Sequence, residues 1–411
     1  MSSIDRRNFL KLTASAAALL GWPLGSKYLG AAKRELLDPT RDPLVPVVRD
    51  TAAHTGSTIN GGIVQGMIDE AVRRLTGISN TGEAYLSLFP GLTLDSVIGI
   101  KVNCINSALS SHPAVSQALA AGLQKMTLNG TPFPANNIII WDRTTYELTA
   151  AGYTLNTGAT GVRCFASNSS GVGYSTIYLN CNGSQQHPSR ILTDYCDYLI
   201  SLGVLKNHSF AGATFSMKNH YGSIQYPGNL HGGYCAQYVP AVNQQIRDVL
   251  PVVEALFMVD GIFGIYNGGP GGSPNFTYDG VILGQDRVAV DAVCRDILQS
   301  YGCPTLGIST HIDLAAGAPY YLGTANLAQI QRVDVMNPSA AVTNLEVTHA
   351  GSDALLSWPT PEYTGQFKVL RADNPAMTGA TQLAVVSGNA YTDPGVVNAA
   401  VKYFYRVVKT W

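Results

Sequence analysis

Charge is the scarcest ingredient of this chain. Only 13% of its 411 residues are Asp, Glu, Lys or Arg, the formal net charge is -1, and no long basic or acidic run occurs. That removes the electrostatic footprint of a nucleic-acid binder, and no nucleic acid is expected as a partner. The seven cysteines, at 104, 164, 181, 196, 235, 294 and 303, form no CxxC or other close ligand pair. This argues against a cysteine-held zinc or iron–sulfur cluster. Their odd number leaves a thiol over in any disulfide scheme; Cys164 with Cys181 is one candidate pair, and buried free thiols are expected for most. Missing too are a GxSxG elbow, a Ser-His-Asp order and an HExxH run, which disfavours serine hydrolase chemistry and a local metal motif. The loop Gly268, Gly269, Pro270, Gly271, Gly272 lacks the Lys-Ser/Thr ending of a Walker loop and the spacing of a dinucleotide fingerprint.

Apolar residues, at 46%, are ample for large buried cores. The N-terminus orders them in a specific way. Asp5, Arg6, Arg7, Asn8, Phe9, Leu10 and Lys11 precede an Ala-rich apolar run from Leu12 to Trp22, and Gly30, Ala31 and Ala32 offer a cleavage site. Charged, apolar and small segments in that order read as a secretory signal of twin-arginine type, shorter than the ~20 residues that span a bilayer. Residues 1–32 are therefore expected as a signal peptide and the mature protein as periplasmic or extracellular, with no transmembrane segment. Residues 33–58, with Pro39, Pro43 and Pro46, read as a linker or arm.

From 59 to 337 short apolar strands alternate with helices. Strands are expected at Ser96–Val102, Asn137–Trp141, Val162–Ala166, Ser175–Leu179, Tyr198–Leu205, Val252–Ile265 and Val281–Gly284. Helical spacing covers Ile63–Leu75, His112–Met126, Thr145–Ala151, Ser189–Tyr195, Tyr238–Leu250 and Asp286–Tyr301. The alternation predicts an α/β fold with a mostly parallel or mixed sheet and flanking helices. After Asn337 the pattern becomes short alternating strands, which predicts a small C-terminal β-sandwich over 340–411.

Cations and imidazoles concentrate between Tyr198 and His231. Lys206, Asn207 and His208 follow the Tyr198–Leu205 strand, Lys-Asn-His returns at Lys218, Asn219 and His220, and His231 comes after a Pro-Gly turn. In a parallel sheet Lys206 and His208 emerge on one face beyond the strand's carboxyl end, where open α/β sheets place ligands. Lysines near histidines suit a small anionic substrate, and a desolvated lysine acquires a lowered pKa suited to acid–base work. Lys206, His208, Lys218 and His220 are the candidate catalytic groups. Lys101, Asn103, Arg143, Asn219 and His231 are the candidate ligand-binding ones. An ion pair of one lysine with Asp260 or Asp291 is the competing structural role. Folding that converges His208, His220 and His231 with Asp286 or Asp291 would instead hold a divalent metal. Asp286 also reads as a helix cap.

The region from about Asp95 to Val335 resembles the DUF362 family, proteins of unassigned biochemical activity found in bacteria and archaea. The resemblance rests on IGIKVN (98–103), HPAVSQAL (112–119), LKNH (205–208), MKNHYGSI (217–224), VDGIFGI (259–265) and DRVAVDAV (286–293). Some members carry ferredoxin-like cysteine clusters, which this chain lacks, so no iron–sulfur cluster is expected. The C-terminal strands resemble a fibronectin type III domain, with Trp358, Tyr403 and Tyr405 expected in its core. A fibronectin-like attachment module implies the alternative role, a non-catalytic protein that binds an envelope component.

Overall fold

The computed structural model describes residues 43–336, 342, 345–359, 366–375, 377–397 and 401–410. The expected signal peptide lies outside the described residues. Nine strands form the main sheet: β1 (Leu44–Arg49), β2 (Ile98–Lys101), β3 (Ile138–Asp142), β4 (Arg163–Ala166), β5 (Tyr198–His208), β6 (Gly212–Thr214), β7 (Val253–Ile265), β8 (Phe276–Gly284) and β9 (Gln331–Met336). Their order is β9-β1-β8-β7-β5-β2-β3-β4, with β6 folded back on the end of β5. All pairings are parallel except those of β8 with β1 and β7 and of β6 with β5. This is the expected mixed α/β sheet.

The helices are α1 (Gly61–Thr76), α2 (Thr81–Ser87), α3 (Pro113–Leu123), α4 (Thr145–Ala150), α5 (Tyr238–Val249), α6 (Arg287–Ser300) and α7 (His311–Ala316). Apolar residues of α1 and α3, such as Val64, Ile68, Val115 and Leu119, pack with Ile98, Ile100 and Ile200 on one face of the sheet. Those of α5 and α6, such as Val239, Ile246, Val288 and Val293, pack with Leu199 and Leu205 on the other. Each such buried aliphatic side chain contributes about 1.5–3 kcal/mol. Helix α6 is started by Asp286, whose carboxylate accepts from Val288 N at 2.8 Å and Ala289 N at 2.9 Å.

Two local expectations change. Residues 43–58 are not all linker: Leu44–Arg49 is an inner strand between β8 and β9, because Val45, Val47 and Val48 are apolar enough to be fully buried. Pro46 is tolerated since pairing with β8 begins only at Val47. No strand forms over 175–178; the chain pairs later, in a small hairpin of Leu179–Cys181 with Ser184–Gln186. All seven cysteines are free and buried. Cys164 and Cys181 cannot be bridged, because they belong to the cores on opposite faces of the sheet.

The topology locates a crevice. From β2 the chain steps outward through α3 and α4 to β3 and β4, then returns to β5 on the other side of β2 and proceeds to β7 and β8. The order reverses between β2 and β5, and ligands of open α/β sheets lie at the carboxyl ends of strands at such a point. Strand β5 pairs with β2 only from Tyr198 to Ser201. Its remaining residues run past the end of β2, with a register shift against β7 between Val204 and Lys206.

The C-terminal sandwich has two three-stranded antiparallel sheets. They comprise β10 (Glu346–Ala350), β11 (Asp353–Ser357) and β14 (Ala390–Asp393), and β12 (Gln366–Ala372), β13 (Thr381–Val386) and β15 (Phe404–Thr410). Trp358 and Phe367 pack edge to face in its core, 5.4 Å between ring centroids. Tyr405 packs half-buried against this core, with its hydroxyl donating to Asp393 at 2.8 Å, while Tyr403, also half-buried, lies under the Arg371 guanidinium, 4.5 Å from its ring centroid.

Candidate functional site

The floor of the crevice is a buried ion pair between neighbouring strand ends. Lys101, the last residue of β2, places Nζ 2.6 Å from Oδ1 of Asp142, the last residue of β3. The same ammonium donates to Val102 O at 2.7 Å and Asn219 Oδ1 at 3.1 Å. Its three hydrogens are thereby all engaged. Asp142 in turn accepts from Cys104 N and Arg143 N, each at 2.7 Å. Asn219 is equally committed, donating to Lys101 O at 2.9 Å and Ser201 Oγ at 3.1 Å. Lys101 and Asn219, expected to bind ligand, form scaffold instead.

Gly222 covers this pair so closely that a Cβ there would lie 2.6 Å from Lys101 Nζ and 2.9 Å from Asp142 Oδ1. Gly222→Ala is expected to cost about 1–3 kcal/mol through overpacking, read as a lowered urea midpoint. A midpoint equal to wild type would mean that the turn relaxes freely.

Above the floor stand two lysines with no acidic partner among the described residues. Lys206 Nζ donates to Asn103 Oδ1 at 3.0 Å and Leu109 O at 3.2 Å, leaving one hydrogen free. Lys218 Nζ has no hydrogen bond to any described residue and rests 4.5 Å from the centroid of the Tyr221 ring. The residues are 1% and 7% exposed. Burial pulls the Lys206 amine down to about 8, helped by Lys218 and opposed by Cys104 and Asp142. Burial also pulls Lys218 down to about 8, with Cys235 opposing. Both remain mostly protonated at neutral pH, so the recess carries uncompensated positive charge.

Three neutral histidines complete it. His208 Nδ1 accepts from the backbone N–H groups of Phe210 and Ala211, each at 3.1 Å. Its proton must therefore sit on Nε2, which no described group accepts. Burial first, then Lys218 and His231, push its pKa down to about 3. His231 has the opposite tautomer: Nδ1 donates to Pro227 O at 3.0 Å, leaving a lone pair on Nε2. Burial and then Lys218 lower its pKa. The His208 and His231 rings are 6.2 Å apart. His311, at the start of α7, is fully buried with neither ring nitrogen partnered by a described residue. Its pKa falls to about 3 through burial and the charge of Lys218. Sequence reasoning did not single out His311, an isolated histidine about 80 positions from His231 with no motif around it.

Residues 98–296 match the DUF362 family, described as a domain of unknown function. A solved protein from Thermotoga maritima is similar at 10% identity with a TM-score of 0.35, over 61% of this chain and 60% of that chain. The chain thus spans about 60% of that protein's length. No curated protein matches. The DUF362 match includes Lys101, Asp142, Lys206, His208, Lys218 and His231, and stops short of His311.

Several other expected residues of the DUF362 region lie elsewhere. His220 occupies the same 3₁₀ turn as Lys218 (Lys218–Ser223), but positions two apart in such a turn point in different directions. Its Nε2 faces Glu254 Oε1 at 3.2 Å and its Nδ1 meets Ser223 Oγ at 3.1 Å. Glu254 is also held by Arg287 at 2.8 Å, which keeps its carboxyl low, at about 2, against the opposing effect of burial. Asp291 accepts from Ser216 N at 2.9 Å, Ser216 Oγ at 2.6 Å and Met217 N at 3.2 Å, and thus aims the turn that carries Lys218. Asp260 accepts only backbone N–H groups, so neither acid pairs with a lysine. Arg143 pairs with Glu147 at 3.0 Å on α4.

The five residues considered as metal ligands therefore do not converge. Among the described residues no group of three or more His, Cys, Asp or Glu side chains could hold a metal ion. His208 adds a chemical reason. A ligating imidazole donates its other N–H outward, whereas His208 would have to give up two backbone hydrogen bonds to free a lone pair. The donor set of Lys218, Lys206 and His208 Nε2–H suits oxygen atoms of an anion.

Proposed function

We propose that the DUF362 region binds a small oxyanion, a carboxylate or phosphate group, between Lys206, Lys218 and His208, and that His231 Nε2 exchanges a proton with the bound molecule. One observation carries this reading: Lys218 is a mostly buried lysine whose ammonium has, among the described residues, neither a hydrogen-bond acceptor nor a carboxylate partner. An uncompensated buried charge is costly to fold around, and an anionic ligand removes that cost. The switch-point position and the neutral His231 lone pair support the same reading. The twin-arginine pattern of residues 5–11 supports action outside the cytoplasm. Among the described residues no helix is long and apolar enough to cross a membrane. The C-terminal sandwich, fibronectin-like in its core tryptophan, would serve as an attachment module.

The test is calorimetric titration of the full chain with phosphate, sulfate, acetate and oxalate. At least one should bind at a single site, and affinity should fall at least about 100-fold in Lys218→Met, a loss on the scale of a desolvated charge pair. Arg143→Met should leave it unchanged. Equal affinity in wild type and Lys218→Met would refute the assignment.

A further inference from the structure

A second recess lies across the 103–112 loop. It is an open cleft of about 830 Å³, within the ~300–1,000 Å³ typical of small-molecule sites. Leu109 separates the two recesses: its carbonyl receives Lys206 and its residue lines the cleft. Ile59, Phe263 and Phe276 supply further apolar wall; among the described residues Asp260 is the only carboxylate in the lining, and no lysine or arginine lines it.

Asp260 is 4% exposed. It sits just before a register shift in the β7–β8 pairing between Gly261 and Phe263, an irregularity of the kind that re-aims side chains. Its oxygens accept from His112 N at 2.9 Å and Ile262 N at 3.1 Å, and among the described residues it has no ion-pair partner. Each oxygen keeps a further lone pair. Burial raises its carboxyl to about 6. His112 brings no compensating charge: its Nδ1 accepts from Ala114 N at 3.1 Å, and burial lowers its pKa.

We infer that this cleft is a separate binding site for an organic cation, with a primary ammonium group set against Asp260 and an apolar body against Phe263 and Phe276. An ammonium would satisfy the free lone pairs of the buried acid, and the aromatic walls favour both an apolar chain and a nearby positive charge. The occupant is thus opposite in charge to that of the lysine recess and does not depend on it.

The matched probes are 4-phenylbutylamine and 4-phenylbutanol, titrated calorimetrically into the full chain. The amine should saturate one site and the alcohol bind at least about 10-fold more weakly, the difference made by one charge-assisted hydrogen bond. Asp260→Asn should lower amine affinity by a similar factor. Ala108→Trp, a change at an exposed position of the lining that leaves Asp260 intact, should do the same by filling the cleft. Lys218→Met should leave the amine affinity unchanged. The proposal is overturned if the amine does not saturate, if the alcohol binds equally well, or if affinity survives Ala108→Trp.

Discussion

Lys218→Met is expected to make the ligand-free protein more stable at pH 7 while destroying anion binding. Holding a lysine with a pKa of about 8 instead of 10.5 costs the folded state about 3 kcal/mol when the unfolded chain is protonated. Methionine fills a similar volume without the charge, and for a domain of this size the gain corresponds to several degrees in thermal midpoint. The sign with pH follows from proton counts. The folded lysine has a lowered pKa, so between pH 8 and 10.5 the unfolded state binds more protons and the wild-type penalty shrinks as pH rises. The advantage of Lys218→Met should be full below pH 8 and fade above it. Comparing variant with wild type cancels the buried thiols, whose raised pKa values act in the opposite sense in both proteins. A variant less stable than wild type at pH 7 would mean that the ammonium has an unseen partner.

Asp142→Ala is expected to have the largest destabilising effect of any single change in the recess. It leaves Lys101 buried without its counter-charge and strips the acceptors from Cys104 N and Arg143 N. Breaking a buried pair in this way costs roughly 3–5 kcal/mol. Joint replacement, Lys101→Met with Asp142→Ala, should recover the part of that loss due to the isolated charge, while Cys104 N and Arg143 N stay without their acceptor. Chemical denaturation of the four proteins in the cycle measures both values. A cost for Asp142→Ala within about 0.5 kcal/mol, the range of ordinary surface changes, would show that the ion pair is not what holds the strand ends together.

The parts of the site written as strand and charge were legible beforehand. The Tyr198–Leu205 run announces β5, which continues through Lys206 to His208, so the carboxyl end of the sheet could be read off the chain. Strand β1 could not, because Pro46 interrupts an apolar run only six residues long and its pairing partners lie more than 200 positions away. The repeated Lys-Asn-His reads as two equivalent triplets, yet the second is wound into a 3₁₀ turn that sends Lys218 to the recess and His220 to Glu254. Which imidazole donates and which accepts depends on backbone atoms of Phe210, Ala211 and Pro227. No spacing rule contains that.

The most direct test observes the lysine amines themselves. In protein carrying ¹⁵N-labelled lysine, the Nζ signals of Lys206 and Lys218, assigned through the methionine variants, should titrate near pH 8 and shift to higher pH when a saturating oxyanion is added. Signals that titrate near 10.5 without ligand, or that ignore every anion that binds, would contradict the account.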